Sequence, residues 1–347
     1  MSTKPSHAAG LTRRRLASLV PLLGLCALGS SRAGPGMAAH RRDSRLLLGT
    51  RVDMLVEGPD AGQLVHAVEL AFAEMGRLSA MMSRYEPASA LSAINRAAGQ
   101  HAVAVPPELM TVLQTGKALH RQTGGLFDMT VGGLKSWHFE AGSQARVPLP
   151  EQLAHELSQV GSQGLRLDPA AGSAQLLKQG AALDLGGVAK LPILAAGLRR
   201  LQDEGVRHAL INGGGDVLYC GSWQGRPWRI GLRDPRRADR LLAVLPLSGQ
   251  GVLAASGDYE RFFLQNGERH HHILDPRTGR SSQGPISVHL LARDVETVNG
   301  LGSAIMLAGL PLAQQLASTH AGLDLLVLRP DQSRWASPGM KALLQKV

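Results

Sequence analysis

Apolar residues recur along this chain with two distinct periods, and the segments they mark come in an irregular order. Between 61 and 82, Leu64, Val68, Phe72, Met75 and Leu78 return at helical spacing, which predicts an amphipathic helix. Residues 89–95 fit a short helix. Another opens at Pro106-Pro107 and closes near Thr123, where Gly124-Gly125 permits the left-handed backbone of a helix end. A helix is expected after Pro148-Leu149-Pro150, and one at 192–205 carries Leu194, Leu198 and Leu201 on one side. Short apolar runs between glycine-rich turns predict strands at 46–56, 165–167, 175–178, 181–185, 209–212, 217–220, 228–232, 241–246, 252–256, 287–292 and 325–328. Two more helices are expected at 299–307 and 312–321. Runs of strands with clustered helices argue for an α+β fold of mixed or antiparallel sheets, not a doubly wound parallel sheet. No internal repeat or low-complexity tract interrupts the pattern.

The first 33 residues fall outside it. Thr12-Arg13-Arg14-Arg15-Leu16 precedes an apolar run ending at Gly29, the pattern of a twin-arginine export signal. The run is shorter than the roughly 20 residues that span a bilayer. A soluble periplasmic protein is therefore expected after cleavage, not an integral membrane protein. Ser31-Arg32-Ala33 and Gly36-Met37-Ala38 are candidate cleavage sites, and Leu25 before Cys26 argues against lipoprotein processing. Residues 34–45 read as a basic linker and 46–347 as a single domain.

Composition narrows the partners. The chain has 347 residues, 44% hydrophobic and only 3% aromatic, so aliphatic side chains must fill the core. Net charge is +10, but the basic residues are dispersed and no nucleic-acid motif is present. Anionic phosphates of a small molecule, or a membrane surface, are the better match for such a charge. The cysteines are Cys26 and Cys220. Once Cys26 leaves with the signal, Cys220 is a lone thiol, expected as a small buried hydrophobe, and no internal disulfide can form.

The chemistry concentrates in a few segments. His270-His271-His272-Ile273-Leu274-Asp275-Pro276-Arg277-Thr278-Gly279 places three imidazoles before an apolar pair and a proline–glycine turn. A histidine held there suits proton transfer at neutral pH, though a surface histidine cluster or a chance metal site has the same composition. Four further stretches stand out: G-G-L-F-D-M-T-V-G-G-L-K-S-W from Gly124, A-L-D-L-G-G-V-A-K from Ala182, I-N-G-G-G-D-V from Ile211, and A-S-G-D-Y-E-R-F-F from Ala255. The glycine turn at 212–216 is not G-x-G-x-x-G between a strand and a helix, which excludes a Rossmann site.

In this order, from about 48 to 309, these segments resemble the FAD:protein FMN transferase (ApbE-like) family. The resemblance implies an ApbE-like, T-fold-like domain. It also implies Mg²⁺-dependent transfer of FMN from FAD to a Thr or Ser of an acceptor protein, with release of AMP. His272 matches the family's functional histidine and would be the base. Leu48, Tyr85, Leu126, Phe127, Asp128, Asp184, Lys190 and Ile273 match FAD-contacting positions. The metal positions fall on the Gly187 carbonyl, Asn299 and Ser303, where the family usually has Asp and Thr at the last two. Some relatives have a second Asp where Gly302 stands.

The loss of a carboxylate leaves two further readings open, a non-catalytic FAD carrier and an FAD pyrophosphatase giving FMN and AMP. Asn299 could also be a simple helix N-cap, and Asp294 or Glu296 could restore the missing charge. Leu191-Pro192 replaces the Gly and aromatic that normally follow the lysine. The export signal and the L-L-G-T-R-V-D-M opening are similar to the NosX-like branch, which is associated with nitrous-oxide respiration and flavinylated NosR-type partners.

Overall fold

The computed structural model describes residues 38–139 and 145–346. The export signal expected at 1–33 lies outside them. An antiparallel sheet runs in the order β1 (Ala39–Leu47), β2 (Thr50–Gly58), β6 (His208–Gly213), β7 (Asp216–Gly221), β10 (Gly249–Gly257), β13 (Ser287–Ala292), β14 (Asp324–Leu328) and β15 (Arg334–Ala336). Smaller sheets pair β3 (Val103–Ala104) with β5 (Ser173–Leu176) and β4 (Leu165–Asp168), β8 (Trp228–Arg233) with β9 (Leu241–Leu247), and β11 (Phe262–Gln265) with β12 (Glu268–His271). The helices are α1 (Ala61–Met81), α2 (Ala90–Arg96), α3 (Pro107–Gln122), α4 (Pro150–Leu157), α5 (Lys190–Asp203), α6 (Leu301–Ala308), α7 (Leu310–Thr319) and α8 (Pro338–Leu343). This is the α+β arrangement the pattern predicts.

Strand alternation sorts the main sheet into two faces. Val52, Met54, Val56, Ile211, Leu218, Val288 and Leu290 join the larger core with Leu64, Val68, Phe72 and Met75 of α1 and Leu194, Leu198 and Leu201 of α5. The opposite face, with Val217, Tyr219, Leu253, Leu291 and Leu326, is covered by Trp228, Ile230 and Leu232 of β8, Leu245 and Leu247 of β9, and Met340 of α8. A third cluster of Leu134, Trp137 and Leu153 packs Phe263 and Leu274, and so anchors the β11–β12 hairpin that leads to His272.

Several boundaries differ from the sequence reading. The expected basic linker ends early, because residues 39–45 belong to β1. The single strand expected at 46–56 is the junction of two. Leu48 and Gly49 both have positive φ (57° and 67°), making a two-residue hairpin turn between β1 and β2. The L-G pair lacks the usual Asn or Asp, so the turn was invisible in the pattern. Residues 181–185 form no strand; only Ala182 bridges to Val131. Helix α5 begins at Lys190, before the expected Pro192, which leaves Pro192 within its first turn, where its missing N–H does no harm.

Candidate active site

Of the three adjacent histidines, His272 alone is solvent-exposed. His270 is buried against Trp137 and Phe263, with ring centroids 5.7 and 5.2 Å away. The His271 ring Nε2 lies 3.0 Å from the Ser282 carbonyl, and its Nδ1 accepts from Ile273 N at 3.4 Å. Neither is a solvated neighbour; both brace the hairpin. The backbone N–H of His272 donates to the Arg261 carbonyl (3.1 Å), and the Arg261 guanidinium reaches back to Gly49 O (3.4 Å) in the turn that holds Leu48. The surrounding protein, then Arg261 and His271, push the His272 imidazole down to about 4. Water at its exposed edge opposes that depression, but a ring with either that pKa or an ordinary one is mainly neutral at pH 7 and can accept a proton.

The residues from the 182–190 stretch surround a second group. Lys190, the first residue of α5, places Nζ 2.6 Å from Asp216 Oδ2. Asp216 is buried, and its Oδ1 accepts from Ala255 N (2.8 Å), so one carboxylate joins the 211–217 and 255–263 segments to the lysine. Asp184 accepts from Gly186 N (2.8 Å) and lies 3.3 Å from Arg84, whose guanidinium donates to the Tyr85 hydroxyl (2.9 Å). Tyr85 is 61% exposed beside it. Leu126 is half-buried at the start of its tripeptide. Phe127 is buried, and Ile273 is buried within the main core.

Asp128 is held by its own loop and its neighbours. Its Oδ1 accepts from Thr130 N, Thr130 Oγ1 and Ser162 Oγ (2.8, 2.6 and 2.7 Å). Its Oδ2 accepts from Ser162 N (3.0 Å) and lies 3.2 Å from His120 Nδ1. That carboxylate is already saturated by the protein and holds the loop that carries Phe127.

The three candidate metal positions come together. A Cβ on Gly187 would lie 3.5 Å from Ser303 Oγ and 3.1 Å from the Phe127 ring, which explains glycine there. Asn299 is buried and donates Nδ2 to the carbonyl of Val188, the residue after Gly187 (2.9 Å). The N-cap of α6 is Gly300, so the capping role considered for Asn299 does not hold. A Cβ on Gly302 would meet Ser256 Oγ at 2.4 Å and its Cβ at 3.1 Å, so any larger residue there requires that serine to move. Asp294 is exposed and its Oδ1 accepts from Thr297 N and Oγ1, which places that oxygen in a local turn. Among the described residues no three His, Cys, Asp or Glu side chains cluster as a metal site. The donors near Gly187 are hard oxygens, as Mg²⁺ prefers, but neutral ones. They suit a cation whose charge is balanced by substrate phosphates.

Two concavities of about 500 and 530 Å³ open on either side of the 275–280 turn, one lined by Trp137, His270 and Arg280, the other by His120, Asp128 and Arg277. Of the residues that the resemblance marks as base, FAD contact or metal position, only Asp128 lines either. His272, Lys190 and Gly187 line neither.

The ApbE family model matches residues 48–327. The chain belongs to the ApbE family. It is 29% identical over 93% of its length to an FAD:protein FMN transferase of Rhodobacter capsulatus and spans 62% of that longer protein. It is 30% identical to the FAD:protein FMN transferase of Vibrio cholerae over 76% of this chain and 80% of that one. The crystal structure of the ApbE protein from Thermotoga maritima matches 89% of this chain and all of its own, at 30% identity and a TM-score of 0.81. The flavin transferase ApbE from Vibrio cholerae matches the same share at 25% identity and 0.75. The ApbE fold thus carries Arg84, Asp216, Ser256 and Arg261 into the site, none of which the sequence reading selected. Arg84 was legible as the neighbour of Tyr85, and Asp216, Ser256 and Arg261 as members of quoted motifs.

Proposed function

We propose that this chain is an FAD:protein FMN transferase. In this reading it moves FMN from FAD to a Thr or Ser of a periplasmic or membrane electron-transfer protein, such as a NosR-type partner, after export by the twin-arginine route. The observation that carries the proposal is His272, exposed at the end of the β11–β12 hairpin with its imidazole held below the usual range, in a chain that also sets Lys190 on the buried Asp216 and Gly187 beside Ser303.

His272 accepts the proton of the acceptor hydroxyl as its oxygen attacks the FMN phosphorus. The bond from that phosphorus to the bridging oxygen breaks, and AMP carries the bridge away. Lys190 offers a positive charge to the pyrophosphate, and the N–H groups at the start of α5 face the same way as its dipole. Arg84 and the exposed Tyr85 present a cation and an aromatic ring to the flavin nucleotide. Gly187 O, Asn299 and Ser303 would hold a divalent cation, which when bound would neutralise phosphate charge as the P–O bond breaks.

The test is mass spectrometry of a Thr-containing acceptor domain incubated with the protein, FAD and Mg²⁺. One FMN added, and none with His272→Ala, is the expected result. FMN and AMP released without any adduct would favour a pyrophosphatase, and tight FAD binding without turnover a carrier.

A further inference from the structure

The cations of the site are not equally provided for. Lys190 sits on Asp216 and Arg84 beside Asp184, but Arg261 is exposed and makes no ion pair among the described residues. Its guanidinium has one hydrogen bond, from Nη2 to Gly49 O at 3.4 Å, which is long for such a bond. Glycine at 49 admits it, since a Cβ there would lie 2.9 Å from Nη2. The same residue is tied to the base. Its carbonyl accepts from His272 N at 3.1 Å, one step beyond the last paired residues of the hairpin, Phe262 and His271. That pairing sets the Arg261 and His272 side chains on the same hairpin face. Arg261 therefore joins the turn that holds Leu48 to the strand end that holds His272. Burial first, and then the Arg261 charge, hold the His272 imidazole down, and Lys190 adds a smaller effect. A cation without a counter-charge makes the histidine beside it a weaker base, and an anion settling on that cation removes the penalty.

We propose that Arg261 is a further catalytic residue: its guanidinium leaves Gly49 O and takes the non-bridging oxygens of the FMN phosphate of FAD, beside His272. The inference rests on the transferase reading above. In that transfer the acceptor oxygen bonds to the FMN phosphorus and its proton goes to the His272 ring. The bond from phosphorus to the bridging oxygen breaks, and AMP leaves with that oxygen and the electron pair. Arg261 neither gains nor loses a proton. Its guanidinium stays charged at any working pH, and its planar fork fits two phosphate oxygens at once. There it neutralises the charge spread over the oxygens of the phosphorus in flight. Lys190 is fixed by a buried carboxylate, whereas Arg261 gives up only one long bond to a carbonyl when it moves.

The test separates the guanidinium from the main chain. Arg261→Gln keeps the carbonyl that holds His272, so it should melt with the native chain. Its affinity for FMN, read by quenching of flavin fluorescence, should fall about tenfold, while that for riboflavin, which has no phosphate, should stay within about twofold. Arg261→Lys keeps the charge and should recover most of the lost FMN affinity. In the acceptor assay above, the Gln variant should transfer FMN about a hundredfold more slowly at saturating FAD and acceptor. Arg42→Gln, which removes an exposed charge from β1, should change none of these. A native FMN affinity or a native transfer rate in Arg261→Gln would overturn the proposal. So would equal losses for FMN and riboflavin, since the guanidinium would then only brace the Leu48-Gly49 turn. If the native chain transfers FMN to no acceptor, the transferase reading fails by itself, and the comparison of FMN with riboflavin still decides the phosphate contact.

Discussion

His289 offers a measurement of this fold that does not depend on activity. It sits mid-sheet on β13, in register with Ala255 on β10 and Leu326 on β14, and is 4% exposed. Neither ring nitrogen has a hydrogen-bond partner. Burial alone pushes its imidazole down to about 4. The ordinary value, which the unfolded chain restores, is about 6.5. Because the folded value is the lower one, the unfolded state binds the proton more readily. Stability is intact above pH 6.5 and is lost as pH falls from 6.5 towards 4. The full loss is about 3.4 kcal/mol, and about 2 kcal/mol has gone by pH 5.

Leucine has a similar volume and no polar atom, so His289→Leu should remove the effect without opening a large cavity. Urea denaturation between pH 4.5 and 8 should show the variant at least as stable at pH 8. Its stability should fall less steeply in the acid range, by about one proton, or about 1.4 kcal/mol per pH unit near pH 5. His271 is also depressed by burial and keeps part of the slope in both proteins. Parallel stability curves for native chain and variant would refute the reasoning, since they would mean that His289 titrates alike folded and unfolded.

Other changes address the site. Asp128→Asn replaces a carboxylate that accepts from Thr130 and Ser162 with a group that has one accepting oxygen. It should cost about 2–3 kcal/mol of stability in thermal or urea unfolding; a loss of FAD binding with unchanged stability would contradict a bracing role. Asn299→Asp turns a donor facing the Val188 carbonyl into a second acceptor. Its melting temperature should fall without Mg²⁺ and recover when Mg²⁺ and FAD are added together, whereas recovery of the native chain to the same extent would argue against a cation at this position. The labelled His272 ring should titrate below 6.5 in the free protein, because protein bulk and Arg261 disfavour its charged form. Added FAD phosphate should raise that midpoint, and an NMR titration that FAD leaves unmoved would separate His272 from the reaction centre.

Long periodic segments were legible because burial writes itself into sequence spacing. Helix α1 spans 61–81 against an expected 61–82, and its apolar stripe is the stripe that meets the sheet. The β11–β12 hairpin was not legible, because its two faces bury different things. Phe263 and His270 face an aromatic cluster while Phe262 and Leu264 face outward, so no apolar–polar alternation appears. The Leu48-Gly49 turn was missed for another reason: leucine rarely takes positive φ, so nothing local signals it. Site residues fixed by type and motif, such as His272 and Lys190, could be named from the chain. What each carboxylate does could not, since Asp128 and Asp216 stand in equally suggestive motifs.

Those carboxylates explain how a cationic site can wait without its anionic substrate. Lys190 is held by Asp216, and Arg84 lies beside Asp184, so these two cations, proposed above to meet the flavin nucleotide, each have a counter-charge close by. The two pairs are unequal. Asp216 is buried and also accepts from Ala255 N, so it is fixed and keeps the lysine in place. Asp184 is half-buried at 3.3 Å from a guanidinium, in reach of water, and that contact is weak enough to yield to a phosphate. At the three candidate metal positions, by contrast, Gly187, Asn299 and Ser303 offer only neutral oxygens. On the transferase reading proposed above, a divalent cation would gain little from the protein alone, and its counter-charge would arrive with the substrate. Cation binding would then be tied to FAD binding, with occupancy by both favoured over a metal resting in the site by itself.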